Sequence, residues 1–111
     1  MSSQKSFFTL LLLMSVAAIT MAAGKAQTFT GEVSDSMCGA QHMMSSKADC
    51  TRACITKGSN YALVVGEKVY TLHTNDKAAL DQLNTLAGEK AKVTGTVDGD
   101  TVEVSKVAAA K

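Results

Sequence analysis

Val93–Val104 reads VTGTVDGDTVEV, and this stretch does more than any other to decide the architecture. Across Lys90–Val97 the residues alternate. Ala91, Val93, Gly95 and Val97 fall on one face, and Lys90, Lys92, Thr94 and Thr96 on the other, the period-two signature of a strand with one buried side. Asp98-Gly99 is a two-residue turn signal, and Thr101–Val107 returns as the partner strand, with Ala108–Lys111 expected to fray.

Working backwards, Asn75 is expected to cap a helix with Asp76 in its first turn and Gly88 beyond its end. Leu80, Leu83 and Ala87, with Leu86 beside them, would form that helix's apolar stripe. Tyr61–Val65 and Lys68–His73 are β-rich runs joined at Gly66-Glu67, a pair suited to a tight hairpin. Thr28–Ser34 (TFTGEVS) is a further strand, with Phe29, Gly31 and Val33 on one face and Thr30, Glu32 and Ser34 on the other. The segment 35–59 interrupts the β pattern and carries all three cysteines. Ser46, three before Asp49, predicts a helix over about Lys47–Lys57 that stops at Gly58.

The N-terminus predicts export. Lys5 precedes an apolar run, Phe7–Ala23, and small residues gather at Ala22, Ala23, Gly24 and Ala26, the order of a cleavable signal peptide over residues 1–26. Cleavage is expected after Ala26, with Gly24 as the alternative. The run is shorter than the ~20 residues of a spanning helix, so no stable membrane anchor is expected after cleavage. Of the 111 residues, 85 remain as one domain, 27–111, with nine Lys and Arg against ten Asp and Glu. That balance lacks the basic footprint of a nucleic-acid binder.

The order strand, cysteine-bearing insert, strand, strand, helix, strand, strand is mainly β with helices (α+β). Without the insert it resembles the OB-fold, a small five-stranded barrel, and VTGTVDGDTVEV is similar to the closing hairpin of small exported OB-like domains. The chain also resembles exported bacterial domains of uncharacterised activity that pair a DSxCG segment (Asp35–Gly39) with a later C-x-x-x-C (Cys50–Cys54). That resemblance implies a fold and a compartment, not an activity.

Chemistry concentrates in Cys38, His42, Cys50 and Cys54, spaced C-x3-H-x7-C-x3-C. On a helix Cys50 and Cys54 lie one turn apart on one face. Three sulfurs and an imidazole are enough for a closed tetrahedral site. Zinc accepts Cys3His and soft thiolates also suit Cu(I), with Met37, Met43 and Met44 nearby as thioether donors. Cys38–His42 (CGAQH) resembles the CGxxH portion of the dinuclear copper loop of cytochrome oxidase subunit II. It departs from that loop at Ser34, where the loop has a cysteine, and at Ser45, where it has a methionine. Cys50–Cys54 is similar to the C-x-x-x-C of copper-delivery proteins.

A disulfide is the competing account, since small exported domains commonly carry them. Cys38 with Cys50 or Cys54 is the suitable pair, because residues one helical turn apart bridge poorly. The domain would then be a stapled module for a protein or small ligand, with one cysteine left over. No enzyme is expected. The C-x-x-C redox pair is absent, and a Cys38–His42 nucleophile pair lacks an orienting group, Asp35 being expected to cap a turn instead. His73 reads as a surface histidine, and Tyr61 and Tyr70 as core or rim packing.

Overall fold

The computed structural model describes residues 25–42 and 44–110. Its elements are β1 (Ala26–Asp35), α1 (Lys47–Thr56), β2 (Tyr61–Val65), β3 (Lys68–His73), α2 (Lys77–Thr85), β4 (Lys90–Asp98) and β5 (Thr101–Ala109). The strands close into a barrel in the order β1-β2-β3-β5-β4. All pairings are antiparallel except β3 with β5, which run parallel through Thr71, Leu72 and His73.

Closure depends on β1 serving two neighbours along its length. Ala26–Glu32 pairs with β4, and Glu32–Asp35 pairs with β2. Inward-facing side chains from every strand meet in one core, with Val33, Leu63, Leu72, Val93 and Val102 buried beside Leu83 and Leu86 of the α2 region. Full burial of a side chain of this kind is worth about 1.5–3 kcal/mol, so the ring and its filling form together.

Both hairpin turns are two-residue loops that begin on glycine. Gly66 has φ +62° and Gly99 φ +63°, while the residue after each stays at negative φ, as a type II′ turn requires. Asp98 pairs with Thr101, so the second turn is Gly99-Asp100, one residue beyond the Asp98-Gly99 expected. The glycine, the residue free to take positive φ, sets the position.

Four further expectations are corrected. Asp76, not Asn75, is the N-cap of α2, and its side chain makes no capping bond; the Thr74 hydroxyl accepts from the Asp76 N–H instead. Leu80 is exposed and the buried stripe runs Ala79, Leu83, Leu86, Ala87, so α2 turns Ala79 rather than Leu80 inward. Ser34, expected on the face of Thr30 and Glu32 opposite Val33, is fully buried like Val33 and donates to the Gly39 carbonyl at 2.6 Å, because the chain folds back over it. Ala108 and Ala109 pair with Lys92 and Ala91, so β5 matches the length of β4 rather than fraying.

The barrel bends at Gly95, where the β4–β5 register shifts and leaves Ser105 as an extra residue on β5. A Cβ on Gly95 would strike the Glu103 carbonyl oxygen and come within 2.6 Å of Val102 Cγ1. Gly95→Ala is therefore expected to lower unfolding free energy by about 1–3 kcal/mol, the usual range for overpacking, read by urea denaturation. An unchanged midpoint would mean that the two strands separate at no cost.

Candidate metal centre

The site grows from the end of β1. Asp35 is fully buried and its Oδ2 accepts from the backbone N–H of Met37 at 3.0 Å and of Cys38 at 2.9 Å. With the Gly39 N–H bonded to the Asp35 carbonyl at 2.8 Å, these contacts turn the chain tightly and fix Cys38 at the barrel end. Asp35 thus caps a turn, as its position suggested. Its other oxygen, Oδ1, is buried without a hydrogen-bond partner of good geometry, and the carboxylate lies within 4.8 Å of Cys38 and Cys54 Sγ.

Helix α1 supplies the other two sulfurs. Its N-cap Ser46 accepts from the Asp49 N–H at 3.2 Å, as the Ser-x-x-Asp spacing predicted. Arg52 clamps the helix from its far side, donating Nε and Nη2 to the Asn84 carbonyl at the end of α2. That carbonyl, which also accepts from the Ala87 N–H at 3.4 Å, lies at the helix C-terminus, where a cation is favoured. The opposite face of α1 presents Cys50, 3% exposed, and half-buried Cys54 to Cys38.

Cys38 is the common member of the cluster. Its Sγ lies 3.4 Å from Cys50 Sγ and 3.5 Å from Cys54 Sγ. None of the three sulfurs is in a disulfide. The spacing is well beyond the ~2.05 Å of a sulfur–sulfur bond and close to the ~3.8 Å that separates two thiolates on a tetrahedral ion with Zn–S near 2.3 Å. Two triads overlap at this sulfur: Cys38, His42 and Cys50, and Asp35, Cys38 and Cys54, each with donor atoms within 4.8 Å of one another. The four residues singled out by the sequence are therefore brought together.

His42 is the least satisfied member. Its side chain is 6% exposed, yet neither ring nitrogen has a hydrogen bond. Nε2 lies 3.4 Å from Glu32 Oε1, without the alignment of a bond, while Glu32 Oε2 accepts from Lys47 Nζ at 3.0 Å. A buried polar group left in this state costs about 1–3 kcal/mol, which makes the bare imidazole an expensive way to fill space.

Two of the thiols, Cys38 and Cys54, are shifted towards the protonated form. The Cys38 pKa is pushed up to about 12, first by hydrogen bonding with Cys50 and Cys54, then by burial and the Asp35 carboxylate. At Cys54 the hydrogen bond with Cys38 pulls the pKa down, but burial and Asp35 outweigh it, and the net shift is upward. A nucleophilic cysteine needs the opposite environment. A cation bound by these sulfurs would have to displace their protons.

Asp35 and Glu32 were not recognised as members of the site. A carboxylate that caps a turn with one oxygen leaves no trace in sequence of where the other lies. Glu32 alternates with buried residues on β1 and looks like an ordinary outward charge. Met43 lies outside the described residues. His73 is exposed with Nδ1 2.8 Å from Glu103 Oε2, and Tyr70 packs on Phe29 with ring centroids 4.9 Å apart; neither belongs to the donor triads. Comparison with protein-family models, curated proteins and solved structures finds no match.

Replacing Asp35 with Ala removes two charge-assisted bonds at once and is expected to lower stability by about 2–3 kcal/mol. Asp35→Asn keeps an acceptor oxygen and is expected to lose less. Equal denaturation midpoints for wild type and Asp35→Ala would show that the turn holds without the carboxylate.

Proposed function

We propose that this is an exported, non-catalytic domain that binds a soft transition metal, copper or zinc, through Cys38, His42, Cys50 and Cys54. The observation that carries the reading is His42, an imidazole held almost out of solvent with both nitrogens unbonded, beside sulfurs at ligand spacing. A bound ion would satisfy it. Glu32, next to Nε2, is a carboxylate of the kind that orients a metal-bound imidazole through its second nitrogen.

The barrel is read as an OB-fold. The ring order β1-β2-β3-β5-β4, with α2 between β3 and β4, supports that reading, as does the parallel β3–β5 contact. The resemblance to exported domains with DSxCG and C-x-x-x-C is part of the same proposal. Most of the expected leader, residues 1–26, lies outside the described residues. Ala26 pairs with Thr96 as the first residue of β1. Among the described residues no helix is long and apolar enough to cross a membrane.

A second reading, a disulfide-stapled module for a protein or small ligand, draws on one observation: Cys38 stands within 3.5 Å of two possible partners. Intact mass separates the two. Protein exported through its own leader and kept from reductant is expected to carry one ion in native conditions and to denature to a fully reduced chain. A metal-free chain two hydrogens light (~2 Da) would establish the staple instead.

Under the metal reading Cys50→Ser and His42→Gln each lower affinity by at least about tenfold, since outer-shell losses alone reach that range. Metal content after dialysis measures this, with circular dichroism confirming the barrel. Equal content in wild type and both variants would sink the assignment.

A further inference from the structure

The metal site leaves one part of its surroundings without a role. Met37 is 69% exposed and Met44 49%, the most exposed large apolar side chains among the described residues. Both border one cavity of about 350 Å³ that also reaches Cys38, Cys50 and Cys54. Scattered exposed apolar residues need no explanation, but two at a single opening onto three thiols are not scattered. What the pair share is a neutral, polarizable thioether sulfur.

That donor type discriminates between metals. Thioethers suit monovalent copper, whereas zinc sites draw on thiolate, imidazole and carboxylate. A ligand exposed at the mouth, with stronger ligands behind it, is the arrangement that passes an ion inward without releasing it to water. The charged group on the cavity lining is Lys57. Its ammonium opposes a bare dication and attracts an anionic copper–thiolate complex.

Resting on the metal reading above, we propose that the cargo is monovalent copper, and that Met37 and Met44 are the entry ligands that take it from a thiol-bound donor and pass it to Cys38, Cys50 and Cys54. Copper stays monovalent throughout and no electron moves. Each bond from copper to a donor thiolate breaks as one to a thioether, and then to a protein thiolate, forms. Protons displaced from the protein thiols leave to solvent or to the departing donor thiolates.

The test uses reduced, metal-free protein under anaerobic conditions, mixed with the Cu(I) complex of glutathione, a thiol donor, with protein-bound copper followed over time by rapid desalting and elemental analysis. A parallel run uses zinc held by a chromophoric chelator. Met37→Leu/Met44→Leu changes volume little at exposed positions, so folding is expected to be retained. The wild type is expected to draw copper from the complex, and the double variant to do so about tenfold more slowly, the loss of about 1.4 kcal/mol of stabilisation in the transfer step. Zinc uptake is expected to proceed at the same rate in both. Equal copper rates would overturn the entry role, and so would equal slowing of both metals, which would mean a general loss of access. A wild type that takes zinc but no copper would overturn the choice of cargo and leave the site standing. A wild type that takes neither metal would overturn the site itself.

Discussion

The double pairing of β1 is the constraint on which the rest depends. One strand must reach β4 with its first seven residues and β2 with its last four, Glu32 serving both. Closing the ring this way removes the free edges that a small sheet otherwise exposes. It also fixes where β1 stops. Asp35, the last paired residue, sits opposite Tyr61 at the barrel end, so the turn that follows starts from a rigid point. The cysteine cluster is built outward from that point.

The turn then converts barrel rigidity into ligand placement. Asp35 holds two backbone N–H groups, Ser34 holds the Gly39 carbonyl, and Ser36 N–H bonds the Asn60 carbonyl across the insert's two ends. The mouth and the root of the insert are thereby pinned together. Helix α1 is capped by Ser46 and is fixed separately, through its Arg52, to the Asn84 carbonyl at the end of α2. Cys38 comes from one anchor and Cys50 and Cys54 from the other. A ligand that joins them crosslinks two parts of the fold that the backbone connects only through a loop.

Much of this was legible because it is local. Alternation along Lys90–Val97 and the two glycine turns specify strands and hairpins from a few neighbouring residues, and the β2 and β3 bounds coincide with the structure. The Ser46–Asp49 cap is local too. What was not legible depends on who packs against whom. The choice between Leu80 and Ala79 as the buried residue of α2 turns on a modest rotation of the helix, which the spacing of leucines leaves open. The pairing of Ala108 and Ala109 follows from the length of β4, since alanines carry little strand preference of their own. At the site, the cysteines and histidine announce themselves by type. Asp35 and Glu32 join through tertiary placement, and nothing in their spacing separates them from surface acids.

Cys38 also makes the two readings of the cluster chemically exclusive. Its sulfur lies within 3.5 Å of both other sulfurs and belongs to both donor triads, so a bond to either would withdraw it from both triads at once. The environment raises the Cys38 pKa and keeps the thiol protonated, which slows attack on a disulfide or an oxidant because the thiolate is the reactive form. The same protonation would oppose a weakly bound ion. Hydrogen bonding with Cys50 and Cys54 raises the pKa most, and the Asp35 carboxylate that fixes the turn adds to it. The residue that sets where Cys38 stands thus also contributes to how strongly its proton must be competed for.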